Sequence, residues 1–186
     1  MQKYTVTRYA FSELSSAAQE RAITDWRNDK ASEDSSWWLT PLLEEHLDNE
    51  LGNNTSDLKI YYSLSYCQGD GVALEGRITP ESAPLLTWPA GAAYAYIKHS
   101  GRYYHERSFS LTVETDEGDE IEGKPVEVLL NQLRDVCVSL EKIGYKALEE
   151  ELEESSIREQ IESCTDADWT ADGKYSIITE PQEILA

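Results

Sequence analysis

Phenylalanine and methionine are almost missing from this chain: 2 Phe and 1 Met in 186 residues, against 11 Tyr and 5 Trp. Aromatic packing must therefore come from rings that carry a polar handle. Cysteine is scarce as well. Cys67, Cys137 and Cys164 are far apart and odd in number, which is neither a disulfide framework nor a metal-binding spacing and suits a reducing compartment. The three histidines are equally scattered. Long apolar runs are absent. The longest uncharged one, near residues 90–97, is far too short to span a bilayer. The first 20 residues hold Lys3, Arg8, Glu13 and Glu20 and do not resemble a signal peptide. The expectation is a soluble globular protein of the cytoplasm.

Positive charge is in short supply: 16 Lys and Arg face 36 Asp and Glu, a formal net charge of −20. The imbalance is uneven. Residues 57–113 carry 5 bases and 5 acids, whereas residues 114–186 carry 6 bases and 21 acids. Such a field repels nucleic acid and anionic membranes and attracts basic partners. It also simply keeps a protein soluble, and on charge alone that plainer reading carries more weight.

The motifs of familiar chemistry are missing too. No glycine-rich phosphate loop, nucleophile elbow, zinc spacing or histidine–carboxylate motif occurs. No cofactor or metal is expected, and no catalytic residue is assigned.

The most regular stretch present is 58–78. Leu58, Ile60, Tyr62, Leu64 and Tyr66 share one parity and so one face of a strand. A second alternating run follows the segment Gln68-Gly69-Asp70-Gly71. Asp-Gly between such runs predicts a tight hairpin, because two-residue turns need positive φ. Asp70 beside Gln68 has the look of a site. The plainer account is a turn in which glycine supplies the backbone and aspartate bonds its own main chain. Tyr61, Gln68, Asp70 and Tyr103 are carried as outside candidates.

Elsewhere, residues 3–9 read as a first strand. Ala18, Ala22, Ile23 and Trp26 fall at helical spacing, giving a helix to about Asn28. Ser16 with Gln19 forms a capping-box pattern there, with Ser15 as the competing cap. Residues 29–36 read as a loop. Trp37, Trp38, Leu42, Leu43, Leu47 and Leu51 mark a second helix, closed by Gly52. Either Thr40 caps it with Pro41 at the first position, or Ser36 caps it and Pro41 bends the early turns. The Trp pair reads as core.

Residues 92–99 and 103–115 form the next strand pair, joined through Ser100-Gly101-Arg102. The acidic stretch Glu114, Asp116, Glu117, Asp119, Glu120, Glu122 fails the EF-hand spacing and reads as a solvated hairpin end. A helix of roughly 27 residues begins at Pro125, about 40 Å long, with Val126, Leu129, Leu130, Leu133, Val136, Cys137, Leu140, Ile143, Leu148 and Leu152 on one face. It ends in Glu149, Glu150, Glu151, Glu153 and Glu154, acids that oppose the macrodipole at a helix C-terminus. Ser156 with Glu159 signals a short further helix. Trp169 to Tyr175 reads as a hairpin turning on Asp172-Gly173. The predicted fold class is α+β. It is a single domain over 1–179, an antiparallel sheet of about five strands against one long and two or three shorter helices, with 180–186 a frayed tail.

Tyr9-Ala-Phe-Ser-Glu-Leu-Ser-Ser-Ala-Ala-Gln-Glu-Arg-Ala-Ile-Thr-Asp-Trp-Arg resembles the amino-terminal helix of a diverse family of small acidic phage and mobile-element proteins, some loosely labelled antitoxins. Trp37-Trp38, Tyr62-Ser63 through Gln68-Gly69-Asp70-Gly71, Glu75-Gly76-Arg77 and the stretch from Asp166 to Lys174 resemble further blocks of it. Acidic phage proteins of this size in other families inhibit host defence, among them anti-CRISPR and antirestriction proteins that mimic DNA. By that analogy the expected role is non-enzymatic. The protein would be an inhibitor binding a basic surface on a host nucleic-acid-handling protein, a Cas effector or other defence nuclease. Glu114–Glu122 and Glu149–Glu154 would supply the phosphate-like charge. The alternatives, in order, are an antitoxin-like regulatory module using an aromatic sheet face, and an enzyme centred on Asp70.

Overall fold

The computed structural model describes residues 7–52, 55, 57–164 and 167–176. Helices and a five-stranded antiparallel sheet give an α+β architecture, as expected. The chain divides into two compact units, Ser35–Ala147, and Met1–Asp34 together with Leu148–Ala186.

In the larger unit, α2 (Ser36–Leu51) precedes the sheet; α1 belongs to the other unit. Leu39, Leu43, Leu47 and Leu51 recur every four residues and are all buried, as one stripe of a helix requires. Gly52 closes α2 in the left-handed conformation, φ +86°, its N–H bonded to the Asp48 carbonyl, as its sequence position predicts. Pro41 lies inside the helix, so Thr40 is not its cap, and the N-cap position is Ser35 with no side-chain bond. The Trp pair is not core. Trp37 is 75% exposed and Trp38 half-buried, because adjacent positions on a helix face 100° apart and the leucine stripe already fills the inward side.

The sheet runs in the order β1 (Leu58–Ser63), β2 (Gly71–Ile78), β3 (Tyr94–His99), β4 (Phe109–Glu114) and β5 (Glu120–Ile121), every neighbour antiparallel. Its fifth strand is therefore the acidic segment and not the amino terminus. Residues 3–6 of the expected first strand lie outside the described residues, and Tyr9 makes only an isolated bridge to Trp169. On β2 the run Gly71–Leu74 is buried on both faces, the mark of a strand with cover on each side. Gly76 has φ +141°, and a Cβ there would fall on the Asp57 carbonyl oxygen. Only glycine fits.

The long helix α3 (Lys124–Glu151) buries Leu129, Leu133, Val136, Cys137 and Leu140. With the α2 leucines and Val72, Leu74, Ile78, Ala95, Ile97, Phe109 and Val113 they make up the apolar interior. Each such side chain contributes about 1.5–3 kcal/mol of transfer free energy.

In the smaller unit, a 3₁₀ turn at Phe11–Glu13 leads to α1 (Ser16–Ser32). Ser15 is the cap, its Oγ accepting from the Ala18 N–H at 3.3 Å. The helix runs past Asn28 through much of the expected loop. Helix α4 (Glu154–Ser163) begins two residues before Ser156, so the Ser156–Glu159 pair is not a capping box. Phe11, Leu14, Ala18, Ala22, Ile23, Ile157, Ile161 and Trp169 form one buried cluster. The expected terminal hairpin is present as β6 (Asp168–Trp169) against β7 (Tyr175–Ser176). Gly173 at its turn has φ +83° and packs against the Ala18 carbonyl. Residues 180–186 lie outside the described residues.

Candidate functional site

The two acidic segments behave differently. Val113 pairs with Ile121 and Glu114 with Glu120, so β4 and β5 form a hairpin. Its turn is held by the Thr115 N–H donating to the Asp119 carbonyl at 3.0 Å and Gly118 N–H to Thr115 at 3.1 Å, with Gly118 at φ +87°. Asp116, Glu117, Asp119, Glu120 and Glu122 are all exposed, and none of them is in an ion pair among the described residues. Glu114 is half-buried and accepts from the Tyr94 hydroxyl at 2.9 Å, a bond that raises the tyrosine's pKa.

The second segment belongs to the smaller unit and is not a helix end alone. Glu149–Glu151 close α3, but Glu153 is the N-cap residue of α4 and Glu154 its first residue. Carboxylates there favour the helix dipole instead of opposing it, which corrects the expected electrostatic cost for those two. Glu151 accepts from Gln160 Nε2 at 3.0 Å, and Glu154 pairs with Arg158 at 2.9 Å. Glu149 and Glu150 also have partners. These acids are largely engaged by the fold.

Three of the four outside candidates, Gln68, Asp70 and Tyr103, meet in one place. Residues 64–70 connect β1 to β2 as an open loop, so the predicted two-residue turn is absent. Asp70 organises that loop. Its carboxylate accepts from the Ser63 hydroxyl, the Ser65 N–H and the Cys67 N–H, each at 2.7 Å, and from the Tyr145 hydroxyl at 3.3 Å. Burial pushes the carboxyl up, but these bonds together outweigh it and hold it below its ordinary 3.8. An acceptor so fully occupied serves as a clamp. The clamp offsets a local cost, because Tyr66 sits at φ +58°, a left-handed conformation worth about 1–2 kcal/mol against a bulky residue.

Beside the loop lies a hollow of about 260 Å³ lined by Ser63, Ser65, Cys67, Gln68, Gly69, Asp70, Arg102, Tyr103 and Tyr104. Tyr103 is half exposed and packs against Gly69, whose missing Cβ leaves room for the ring. Tyr61 does not line the hollow. It stacks on Tyr104 at 5.7 Å and His99 at 5.2 Å between ring centroids, and its hydroxyl donates to Glu75 at 2.7 Å. The spacing-based reading missed Ser63, Ser65, Arg102, Tyr104 and Tyr145. The first four lie in or next to loops, and Tyr145 looks in sequence like any helix position.

Among the described residues no three Cys, His, Asp or Glu side chains group as a metal site would require, and no helix is long and apolar enough to cross a membrane. No protein-family model matches the chain, and no curated protein or solved structure matches it.

Proposed function

We propose that this chain is a non-enzymatic binding protein whose β4–β5 hairpin offers carboxylates to a basic surface of a nucleic-acid-handling protein, where DNA phosphates would otherwise bind. One observation carries the reading: Asp116, Glu117, Asp119, Glu120 and Glu122 are exposed and, among the described residues, in no ion pair, on a hairpin of a chain with net charge −20. Unpaired carboxylates keep their full attraction for a partner and have no internal bond to give up on binding. The analogy in size and charge with acidic phage proteins of other families that inhibit host defence supports a host defence nuclease or Cas effector as the partner class. Glu149–Glu154, engaged within the fold, is the weaker contributor.

The test reverses Asp116, Glu117, Asp119 and Glu120 to lysine and measures competition with duplex DNA for a panel of Cas effectors and restriction nucleases. The wild-type chain displaces DNA from at least one of them, with an affinity that falls steeply between low and physiological salt. The reversed variant loses this by at least tenfold while its thermal midpoint stays put, since unpaired surface charges contribute within about 0.5 kcal/mol. Undiminished competition by the variant would overturn the proposal.

A second reading, a regulatory module binding through aromatic side chains, is favoured by Tyr103 and Tyr96, 50% and 44% exposed. Tyr61 is a poor anchor for it, being half-buried and bonded to Glu75. Tyr103→Ala would then weaken partner binding more than charge reversal does.

A further inference from the structure

We propose that the hollow between residues 63–70 and 102–104 binds a small ligand that joins an oxyanion to a planar ring. Arg102 is the one cation among the described residues of its wall. Among the described residues it makes no hydrogen bond or ion pair, although the chain holds 36 carboxylates from Asp and Glu. Guanidinium presents a flat fork of donors that matches a carboxylate or phosphate edge. The only carboxylate on the same wall, Asp70, has its oxygens taken by Ser63, Ser65, Cys67 and Tyr145. It cannot reach across to satisfy Arg102 without breaking that clamp.

The rest of the wall suits the ligand's body. Tyr103 and Tyr104 line the hollow, and Tyr104 is stacked on Tyr61 and packed against His99, so its ring is held in place. The His99 Nε2–H donates to the Tyr103 carbonyl at 3.2 Å and fixes the base of that loop. Gln68 and Ser65 add amide and hydroxyl groups at the rim. The loop 64–70 is fixed as well: within it Tyr66 sits in the left-handed region, its ring 4.6 Å from that of Tyr145, and the Asp70 clamp holds the residues on either side. Strain maintained by a dedicated set of hydrogen bonds is what a preorganised site looks like. At about 260 Å³ the space is below the range of drug-sized pockets, which limits the ligand to a single ring system.

Titration of the full chain, followed by backbone amide NMR, separates the possible sources of the oxyanion. The probes are 4-hydroxybenzoate for a carboxylate and phenyl phosphate for a phosphate, with 4-hydroxybenzamide and phenol as their uncharged counterparts. The expected result is saturable shifts confined to residues 65–70 and 102–104 with at least one charged probe. Arg102→Gln, at an exposed and unpaired position, leaves the spectrum folded and weakens that probe by about tenfold or more, the worth of a charge-assisted bond. Response to one probe alone assigns carboxylate or phosphate; response to both assigns the oxyanion in general. Equal binding of the uncharged counterparts, no effect of Arg102→Gln, or no shifts up to about 5 mM, where even a millimolar affinity would register, overturns the proposal.

Discussion

The Tyr145 hydroxyl donates to the Asp70 carboxylate at 3.3 Å across 75 positions of sequence. That bond ties α3 to the loop between β1 and β2. It is the longest-range member of a set whose other donors, Ser63, Ser65 and Cys67, lie within seven residues of Asp70. Local turn chemistry and tertiary packing therefore meet at one carboxylate.

Asp70→Asn tests the clamp. The amide keeps one acceptor oxygen and turns the other into a donor that faces N–H groups. With charge-assisted bonds lost and donors left facing a donor, the variant should lose about 2 kcal/mol of stability in urea unfolding. The pH dependence has a definite sign. The folded-state pKa lies below its ordinary 3.8, so Asp70 stabilises the fold above that value and loses its contribution as pH falls through the lower folded one. The gap between wild type and variant should therefore be full at pH 7 and close below about pH 4. A gap that stays constant down to acid pH would show that the carboxylate's charge is irrelevant.

Two glycines separate conformational strain from steric collision. Gly101 has φ +100° with nothing near its missing Cβ, while Gly76, at φ +141°, has the Asp57 carbonyl in that space. Gly101→Ala should cost about 1 kcal/mol, the left-handed penalty alone. Gly76→Ala carries that penalty and must also displace backbone between β1 and β2, so about 3 kcal/mol or more is expected. Thermal unfolding of both variants decides the matter. Equal losses would place Gly76 in a looser environment than the register implies.

The thiols differ just as sharply. Cys67 is exposed, whereas Cys137 is buried within the α3 stripe, and burial first, with Glu106 next, pushes its pKa up to about 12. Since the thiolate is the reactive form, Cys137 should stay unlabelled by iodoacetamide in the folded protein at pH 8 while Cys67 reacts. Labelling of Cys137 should appear only in denaturant, as mass spectrometry of tryptic peptides can read. Its modification under native conditions would mean that α3 opens locally.

Periodicity made much of this fold legible. Leu43, Leu47 and Leu51 of α2, the α3 stripe from Leu129 to Leu140 and the Gly52 cap follow from spacing, because one face of each helix is buried. Leu39, however, takes the inward place expected of Leu42, and only Leu58 of the β1 alternation is buried. What failed is instructive. Asp70-Gly71 has the composition of a two-residue turn, yet Asp70 accepts three bonds from its own loop and one from α3, and tertiary contact overrode the local signal. Glu120 and Ile121 look like solvated loop in an acidic run, but Ile121 pairs with Val113 and completes the sheet. A two-residue strand has too few positions to display a period.

The site was less legible than the fold. Gln68, Asp70 and Tyr103 could be singled out, and they do line one hollow. What makes the hollow chemically distinct is the unpaired state of Arg102 and the saturation of Asp70. Both are facts about partners, and sequence spacing carries no record of them. The acid count misled in the opposite direction: Glu149–Glu154 and Glu114–Glu122 look equivalent as strings, yet Glu151 bonds Gln160, Glu154 pairs with Arg158 and Glu149 and Glu150 have partners, whereas Asp116, Glu117, Asp119, Glu120 and Glu122 have no ion pair among the described residues.

Glu141 offers the last prediction, because its ionisation works against the fold. The side chain is half-buried on α3, with Tyr104, His105 and Gly71 beside it. Burial first, then the charges of Glu106 and Asp70, raise its pKa above the ordinary 4.5, while His105 and Lys142 pull it down less strongly. A carboxyl with a raised folded-state pKa contributes stability below its unfolded pKa and loses it as pH rises through the folded one. At pH 7 ionised Glu141 is therefore a net burden, and it makes no hydrogen bond that substitution would sacrifice. Glu141→Gln keeps the shape and removes the charge. The variant should melt higher than wild type at pH 7, with the advantage shrinking as pH is lowered through the raised folded-state value and gone once the ordinary 4.5 is passed. The opposite trend, a variant less stable at neutral pH, would mean that the carboxylate holds the 104–107 loop through His105 and Lys142 more strongly than Glu106 and Asp70 repel it.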